Sequence, residues 1–235
     1  LEELLPLIDE PMADSAIIPS YILSKLASGN NIKVILGGTG GDELFGGYQR
    51  HYPGLRDKFA GRLANVPLQF WNILSRSINP KIGHYGGITW DKGVAFGTST
   101  SGVNLGFLEK LFCNFKEYSR AMELTRSQFS SLSKMENNWG FGYGRMMIDV
   151  QNYLVDNVLA IADRTSMAAS VEARVPFLDH RLAELAFSVP EKTNIGNSFD
   201  DSKISLKTVI KSKLPSSILN RPKTGFNGPV YDWIY

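Results

Sequence analysis

Ile17, Ile18, Tyr21, Ile22 and Leu26 recur at the spacing that lays apolar side chains along one face of a helix. Asp14 or Ser15 suits the N-cap, Pro19 falls near the first turn and Gly29 is the stop, so the pattern predicts a helix over residues 15–27. Residues 32–36 (IKVIL) follow as a short, apolar, β-branched run bounded by glycines, the pattern of a buried parallel strand. Helix, strand and glycine-rich loop in that order are half of an α/β unit, in which ligands gather at the carboxyl ends of the strands.

Most of the remaining pattern is helical. Helices are expected over residues 55–63, 68–77, 105–132 and 144–170, the last with a break near Asp156. Residues 180–188 read as a helix ending at Pro190, and residues 205–213 as a further one. Residues 195–202 are polar and turn-like, while residues 82–102, rich in Gly, Ser and Thr, read as an ordered surface connection. Further strands are scarce, and a parallel strand needs neighbours at its edges. The expectation is one domain over residues 1–235, incomplete at its amino-terminal end, with most of the sheet carried by residues before Leu1.

Composition narrows the class without naming a function. With 43% hydrophobic, 20% charged and 11% aromatic residues the chain matches an ordinary globular protein. Its 25 basic and 23 acidic residues leave a net charge of +2, which offers no electrostatic reason to expect nucleic acid or an anionic membrane as partner. The single cysteine, Cys113, cannot close an internal disulfide, and its apolar neighbours Leu111, Phe112 and Phe115 point to a buried, inert thiol. His51, His84 and His180 lack the spacing of a zinc site. No apolar run approaches the roughly 20 residues that span a bilayer, and the start LEELLPLIDEP lacks the basic end and apolar block of a signal peptide, so a cytoplasmic setting is expected.

The candidate chemistry begins at Gly37-Gly38-Thr39-Gly40-Gly41-Asp42-Glu43-Leu44-Phe45-Gly46-Gly47-Tyr48, directly after the strand. Glycines let a backbone approach a ligand closely and turn its amides toward an anion. Asp42 and Glu43 then open a helix, where acidic side chains cap free amides, and Asp42 could also reach a magnesium ion. Taken alone, the loop is equally a tight turn leading into a capped helix. It lacks the third glycine of a dinucleotide fingerprint and the Gly-Lys-Ser/Thr ending of a Walker loop.

This run resembles the S-G-E-G-x-D-E-x-F-G-G-Y signature of asparagine synthetases, and Asp9-Glu10-Pro11 resembles the D-E-P that precedes the same strand in that family. A second block, running from Asp163-Arg164-Thr165-Ser166-Met167-Ala168 to Arg174-Val175-Pro176-Phe177-Leu178-Asp179, is similar to its D-R-x-S-M-A-x-S-x-E-x-R-x-P-F-L-D. A third, Arg221-Pro222-Lys223-Thr224-Gly225-Phe226, resembles R-x-K-x-G-F. Three matches in order across nearly the whole chain are far more specific than a glycine loop alone. The resemblance implies an α/β fold of the adenine-nucleotide α-hydrolase-like (PP-loop ATP pyrophosphatase) type, of which this portion is mostly helical with few parallel strands.

It also implies a reaction in which a carboxylate attacks the α-phosphate of ATP, giving an acyl-adenylate and pyrophosphate, after which ammonia displaces AMP. Such a site needs magnesium and cationic groups around the phosphates. By this mapping Lys223 is the catalytic cation, where residue chemistry alone reads a solvated surface charge. Gly37 and Gly38 approach ATP, Asp42 binds Mg2+, and Thr39 faces the amino-acid substrate or intermediate. Thr39 departs from the family glutamate, and a hydroxyl neither acts as a base near neutral pH nor pairs with an ammonium as a carboxylate does. Gly37 stands where the family often has serine. The implied partners are ATP, aspartate or another carboxylate, ammonia, an amino-terminal glutaminase domain in cis, and a second copy in a homodimer.

The charges of the second block, Asp163, Arg164, Glu172, Arg174, Asp179 and Arg181, alternate with apolar residues and read as a half-buried ion network that supports the site and fixes Pro176 in its turn. The S-G-G-x-D-S pyrophosphate loop of the family is absent from these residues, as is its nucleophilic amino-terminal cysteine. The 235 residues alone are therefore expected to lack synthetase activity. Two other readings remain: a relative that amidates or cyclises a different carboxylate, to which Thr39 points, and a degenerate, non-catalytic module, against which Asp42 and Lys223 argue.

Overall fold

A computed structural model describes residues 3–4, 6, 8, 12, 14–54, 96–97, 100, 115–221 and 224–226. In chain order the elements are α1 (Ile17–Gly29), β1 (Val34–Leu36), α2 (Gly41–Phe45), α3 (Phe115–Gln128), α4 (Leu132–Trp139), α5 (Phe141–Gln151), α6 (Ala160–Ala168), β2 (Glu172–Arg174), α7 (His180–Ser188), α8 (Glu191–Asn194), α9 (Ile204–Ile210) and α10 (Ser216–Leu219). The expected helices over 55–63 and 68–77, most of 82–102, residues 105–114 with Cys113, and Lys223 lie outside the described residues. The chain divides into two compact units, Leu1–Gly47 with Asp149–Tyr235, and Tyr48–Ile148.

In the first unit α1 starts just after Asp14, whose Oδ1 accepts the Ala16 amide at 2.9 Å. The helix runs through Gly29, the expected stop, and closes at Asn30 and Asn31. Asn31 takes φ 57°, a left-handed conformation that asparagine tolerates at a helix end. Ile17 of α1 packs with Leu4 and with Ile161 of α6. β1 and β2 pair in parallel, Val34 opposite Glu172, Ile35 opposite Ala173 and Leu36 opposite Arg174. Amides of Glu172 and Gly37 extend the ladder, each donating at 2.8 Å to Lys33 O and Arg174 O.

The parallel strand matches expectation in kind but is not buried on both faces. Side chains alternate along a strand. Ile35 packs on Ala27, Ala169 and Val171, whereas Leu36 is 74% exposed among the described residues. β2 was not anticipated, because Glu-Ala-Arg carries no apolar signature and is a strand only through its pairing with β1.

The helix expected over residues 144–170 is realised as α5, a π-helical segment at Leu154–Leu159 that accounts for the break near Asp156, and α6. Asn157 within that segment donates to Asp14 Oδ2 at 2.7 Å. α7 spans the expected residues, α9 is shorter than read, and residues 195–202 form the expected turns around Gly196, at φ 90°.

Asp179 caps α7, its carboxylate accepting the Arg181 amide at 3.0 Å and the guanidinium at 3.0 and 2.7 Å. The Arg181 side chain first, then its amide, hold the Asp179 carboxyl well below the ordinary value of 3.8. A carboxyl depressed in the fold stabilises it above the ordinary value, and that contribution is lost as pH falls toward the lowered one. Asp179→Asn should therefore remove part of the acid sensitivity: the variant melts below the parent at about pH 7, where asparagine still caps but the ion pair is lost, and the two curves converge as pH falls below about pH 4. Parallel curves across that range would refute the assignment.

In the second unit the helix expected through residue 132 ends at Gln128, and a new helix, α4, starts at Leu132. Phe96, Phe129, Leu132 and Ile148 form its core, with Phe96 and Phe129 edge to face at 5.5 Å. Phe96 thus belongs to the interior, although its stretch reads as surface connection. Gly140, at φ 94°, separates α4 from α5, and a Cβ at Gly144 would lie 2.5 Å from Glu136 N, so the two helices meet backbone to backbone. Among the described residues no helix is long and apolar enough to cross a membrane.

Candidate functional site

The parallel register brings the exits of β1 and β2 side by side, which stacks the glycine loop of the first motif on the Pro176–Leu178 turn of the second. Gly40 has φ +92°, and a Cβ there would fall 2.4 Å from Leu178 Cδ2. Gly41 lies over the Phe177 ring, and Phe45 meets Phe177 edge to face at 6.1 Å. Pro176 sits at the start of its turn, as the sequence pattern implied.

The two glycines expected at ATP differ in what they offer. The Gly37 amide is engaged in the strand ladder to Arg174 O. Gly38 is exposed, and a Cβ on it would meet nothing within 4 Å, while its carbonyl accepts the Gly41 amide at 3.1 Å, so this is where the loop leaves room for a ligand to approach. Thr39 is half-buried beside them, its Oγ1 3.8 Å from the Cβ position of Gly37. Gly37, Gly38 and Thr39 therefore share one loop at the carboxyl end of the sheet, and Asp42 lies in the first turn of the helix that follows it. Lys223 lies outside the described residues, while its neighbours Arg221, Thr224, Gly225 and Phe226 are exposed.

Asp42 is half-buried in the first turn of α2. Gly47 closes behind it, donating its amide to Asp42 O at 2.7 Å, and leaves no room for a Cβ beside the carboxylate. The carboxylate is 2.5 Å from the ammonium of Lys203, the residue before α9. Sequence reading missed Lys203. It sits in the polar turn Asp200-Asp201-Ser202-Lys203 and carries no local mark of its partner, although its φ of 61° is unusual for a non-glycine residue.

A carboxylate supplies the hard oxygen donors magnesium prefers, and here the Lys203 ammonium shares them. Among the described residues no group of three or more His, Cys, Asp and Glu could form an all-protein metal cage. Asp42 fits a magnesium ion that takes its other oxygens from phosphate and water, the usual mode for this ion at nucleotides.

The half-buried ion network expected in the second block is corrected for Glu172, Arg174, Asp179 and Arg181. Arg174 pairs with Glu172 at 2.8 Å and Arg181 with Asp179 at 2.7 Å, two local pairs that face outward, with Glu172, Arg174 and Arg181 exposed. Residues two apart on a strand point the same way, so Glu172 and Arg174 share the open face of β2 and find each other rather than the core. The Arg174 side chain holds the Glu172 carboxyl below its ordinary value, chiefly by hydrogen bonding.

Compared with known proteins, residues 1–235 match the family described as asparagine synthase. The asparagine synthetase [glutamine-hydrolyzing] 1 of Bacillus subtilis is 28% identical over 240 residues, which cover 96% of this chain and 35% of that protein. The asparagine synthetase [glutamine-hydrolyzing] 3 of the same organism is 31% identical over 115 residues, 48% of this chain and 18% of its own length. The human asparagine synthetase [glutamine-hydrolyzing] is 40% identical over 67 residues, 28% of this chain and 12% of that protein. The chain spans about a third, 35%, of the length of the curated relatives that it matches nearly end to end. No solved structure matches it.

Proposed function

Since the chain belongs to the asparagine synthase family, we propose that it supplies the carboxyl-terminal part of an ATP-dependent amide-forming ligase of the PP-loop type. The observation that carries this reading is the exit of a parallel strand into an exposed glycine at Gly38, with the Asp42 carboxylate in the first turn of the helix that follows. That is the end of an α/β sheet at which nucleotides bind.

In this reading a substrate carboxylate oxygen attacks the α-phosphorus of ATP, and the bond to pyrophosphate breaks. Ammonia, delivered from glutamine by a glutaminase domain, then attacks the acyl carbon; the bond to AMP breaks and the nitrogen loses a proton. Gly38 lets the nucleotide approach the backbone. Asp42 holds magnesium, which when bound neutralises charge on the phosphates. Lys223 places a point charge against the same developing negative charge, as a lysine on a loop can. Thr39 lines the carboxylate side of the pocket.

Aspartate is the family substrate and asparagine the product. The hydroxyl of Thr39 in place of a carboxylate favours a second reading, an acid without an ammonium group to be paired. The full-length protein, given ATP, Mg2+, ammonia and a panel of acids, separates these: AMP release that depends on aspartate supports asparagine formation, and release that depends on another acid supports the second. No ATP turnover with any acid would overturn the ligase reading. The 235 residues by themselves hold no S-G-G-x-D-S run and are expected to give no ATP–pyrophosphate exchange. Exchange by this chain alone would contradict that assignment of the phosphate-binding parts.

A further inference from the structure

Asn194, the last residue of α8, is completely buried. Its Nδ2 donates to Leu44 O at 3.0 Å and to Ala186 O at 3.1 Å, and its Oδ1 accepts the hydroxyl of Ser205. The orientation of the amide is fixed by its partners, because two carbonyls can only accept. One side chain thus spends both donor hydrogens and its oxygen on three helices, α2, α7 and α9. A buried amide is tolerated where its bonds are made.

What those bonds hold is the point. Leu44 lies two residues after Asp42 on α2, and Ser205 two residues after Lys203 on α9. Asp42 and Lys203 are the ion pair of the candidate site, and Lys203 keeps a left-handed backbone that persists only where its surroundings over-determine it. We propose that Asn194, acting through Leu44 and Ser205, is the positioning residue that sets the Asp42–Lys203 ion pair. Without it the two helix starts are free to shift against each other, and the ammonium leaves the carboxylate. The consequence for catalysis rests on the reading of Asp42 given above; the coupling itself does not.

The accessibility of Lys203 reads the coupling directly, since its half-buried side chain, held against the Asp42 carboxylate, is screened from a reagent in solution. The full-length protein and its variants are treated with an amine-acylating reagent, and labelling of Lys203 is followed by mass spectrometry against the exposed Lys211 and Lys213. Asn194→Ala is expected to raise the Lys203 ratio about tenfold, the size of effect that follows from losing a buried hydrogen-bonded hub. Ser205→Ala, which removes one bond and no buried bulk, should raise it about threefold, and Ser205→Thr, which keeps the hydroxyl, should restore the parent value. If Asn194→Ala does not fold, the Ser205 pair decides.

A Lys203 ratio unchanged in the folded variants, or labelling that rises equally at Lys211 and Lys213, overturns the proposal. Mg2+ dependence of ATP turnover, measured on the same variants, tests the functional reading separately. Raised Lys203 labelling with unaltered Mg2+ dependence would uphold the coupling and remove Asp42 from the metal site.

Discussion

Gly40→Ala is expected to destabilise the first unit by about 2–4 kcal/mol, from left-handed backbone strain together with overpacking. Gly40 sits at φ +92°, and the added Cβ would lie 2.4 Å from Leu178 Cδ2, 2.7 Å from its Cγ and 3.3 Å from Phe177 Cβ. Leu178 and Phe177 pack on the buried cluster of Leu44, Phe45 and Ala186, so neither can withdraw without opening that core. Chemical denaturation of the chain measures the loss. The neighbouring Gly38→Ala is the control: its Cβ meets nothing within 4 Å, and stability should stay within about 0.5 kcal/mol of the parent. In the full-length protein, however, Gly38→Ala should weaken ATP binding by blocking the open backbone. Equal denaturation midpoints for parent and Gly40→Ala would show that the loop repacks freely and would undo the account of how the two motifs stack.

Glu136→Ala is expected to cost the second unit about 3–5 kcal/mol, the penalty for taking one partner from a buried ion pair. Arg145 Nε donates to Glu136 Oε1 at 2.9 Å, with the side chains only 10% and 6% exposed. The same guanidinium donates to Arg50 O at 2.9 Å and lies 3.9 Å from the centre of the Phe141 ring, so it is fixed where it is and cannot follow the lost carboxylate into water. Glu136→Gln, which retains the shape and one acceptor, should lose clearly less, and the difference between its denaturation midpoint and the parent's isolates the charge. The Ala variant matching the parent within about 0.5 kcal/mol would mean that water reaches the pair and the burial argument is wrong.

The elements that were legible in the sequence are those with a local cause. α1 and α7 follow from apolar spacing, and β1 from a short β-branched run ending in glycine. The glycine loop with Asp42 at the start of the next helix was legible for the same reason, since glycine and acidic residues report backbone geometry and free amides directly. Where a helix crosses a special geometry the pattern blurred: Gly29 did not stop α1, and the π-helical segment showed only as a break. The charges of the second block misled because alternation with apolar residues looks the same whether the charges face a core or open solvent.

By itself, then, the sequence determined the family through three motifs in order, the helix-strand-loop start, and the chemical character of the loop, because each is written in neighbouring residues. Only the tertiary structure decided that Glu-Ala-Arg is a strand, that Leu178 sits under Gly40, that Lys203 faces Asp42, and that Asn194 ties their helices together. Periodicity records how each segment divides its side chains between interior and water. Which distant polar groups then meet depends on how those segments pack, and no local spacing carries that information.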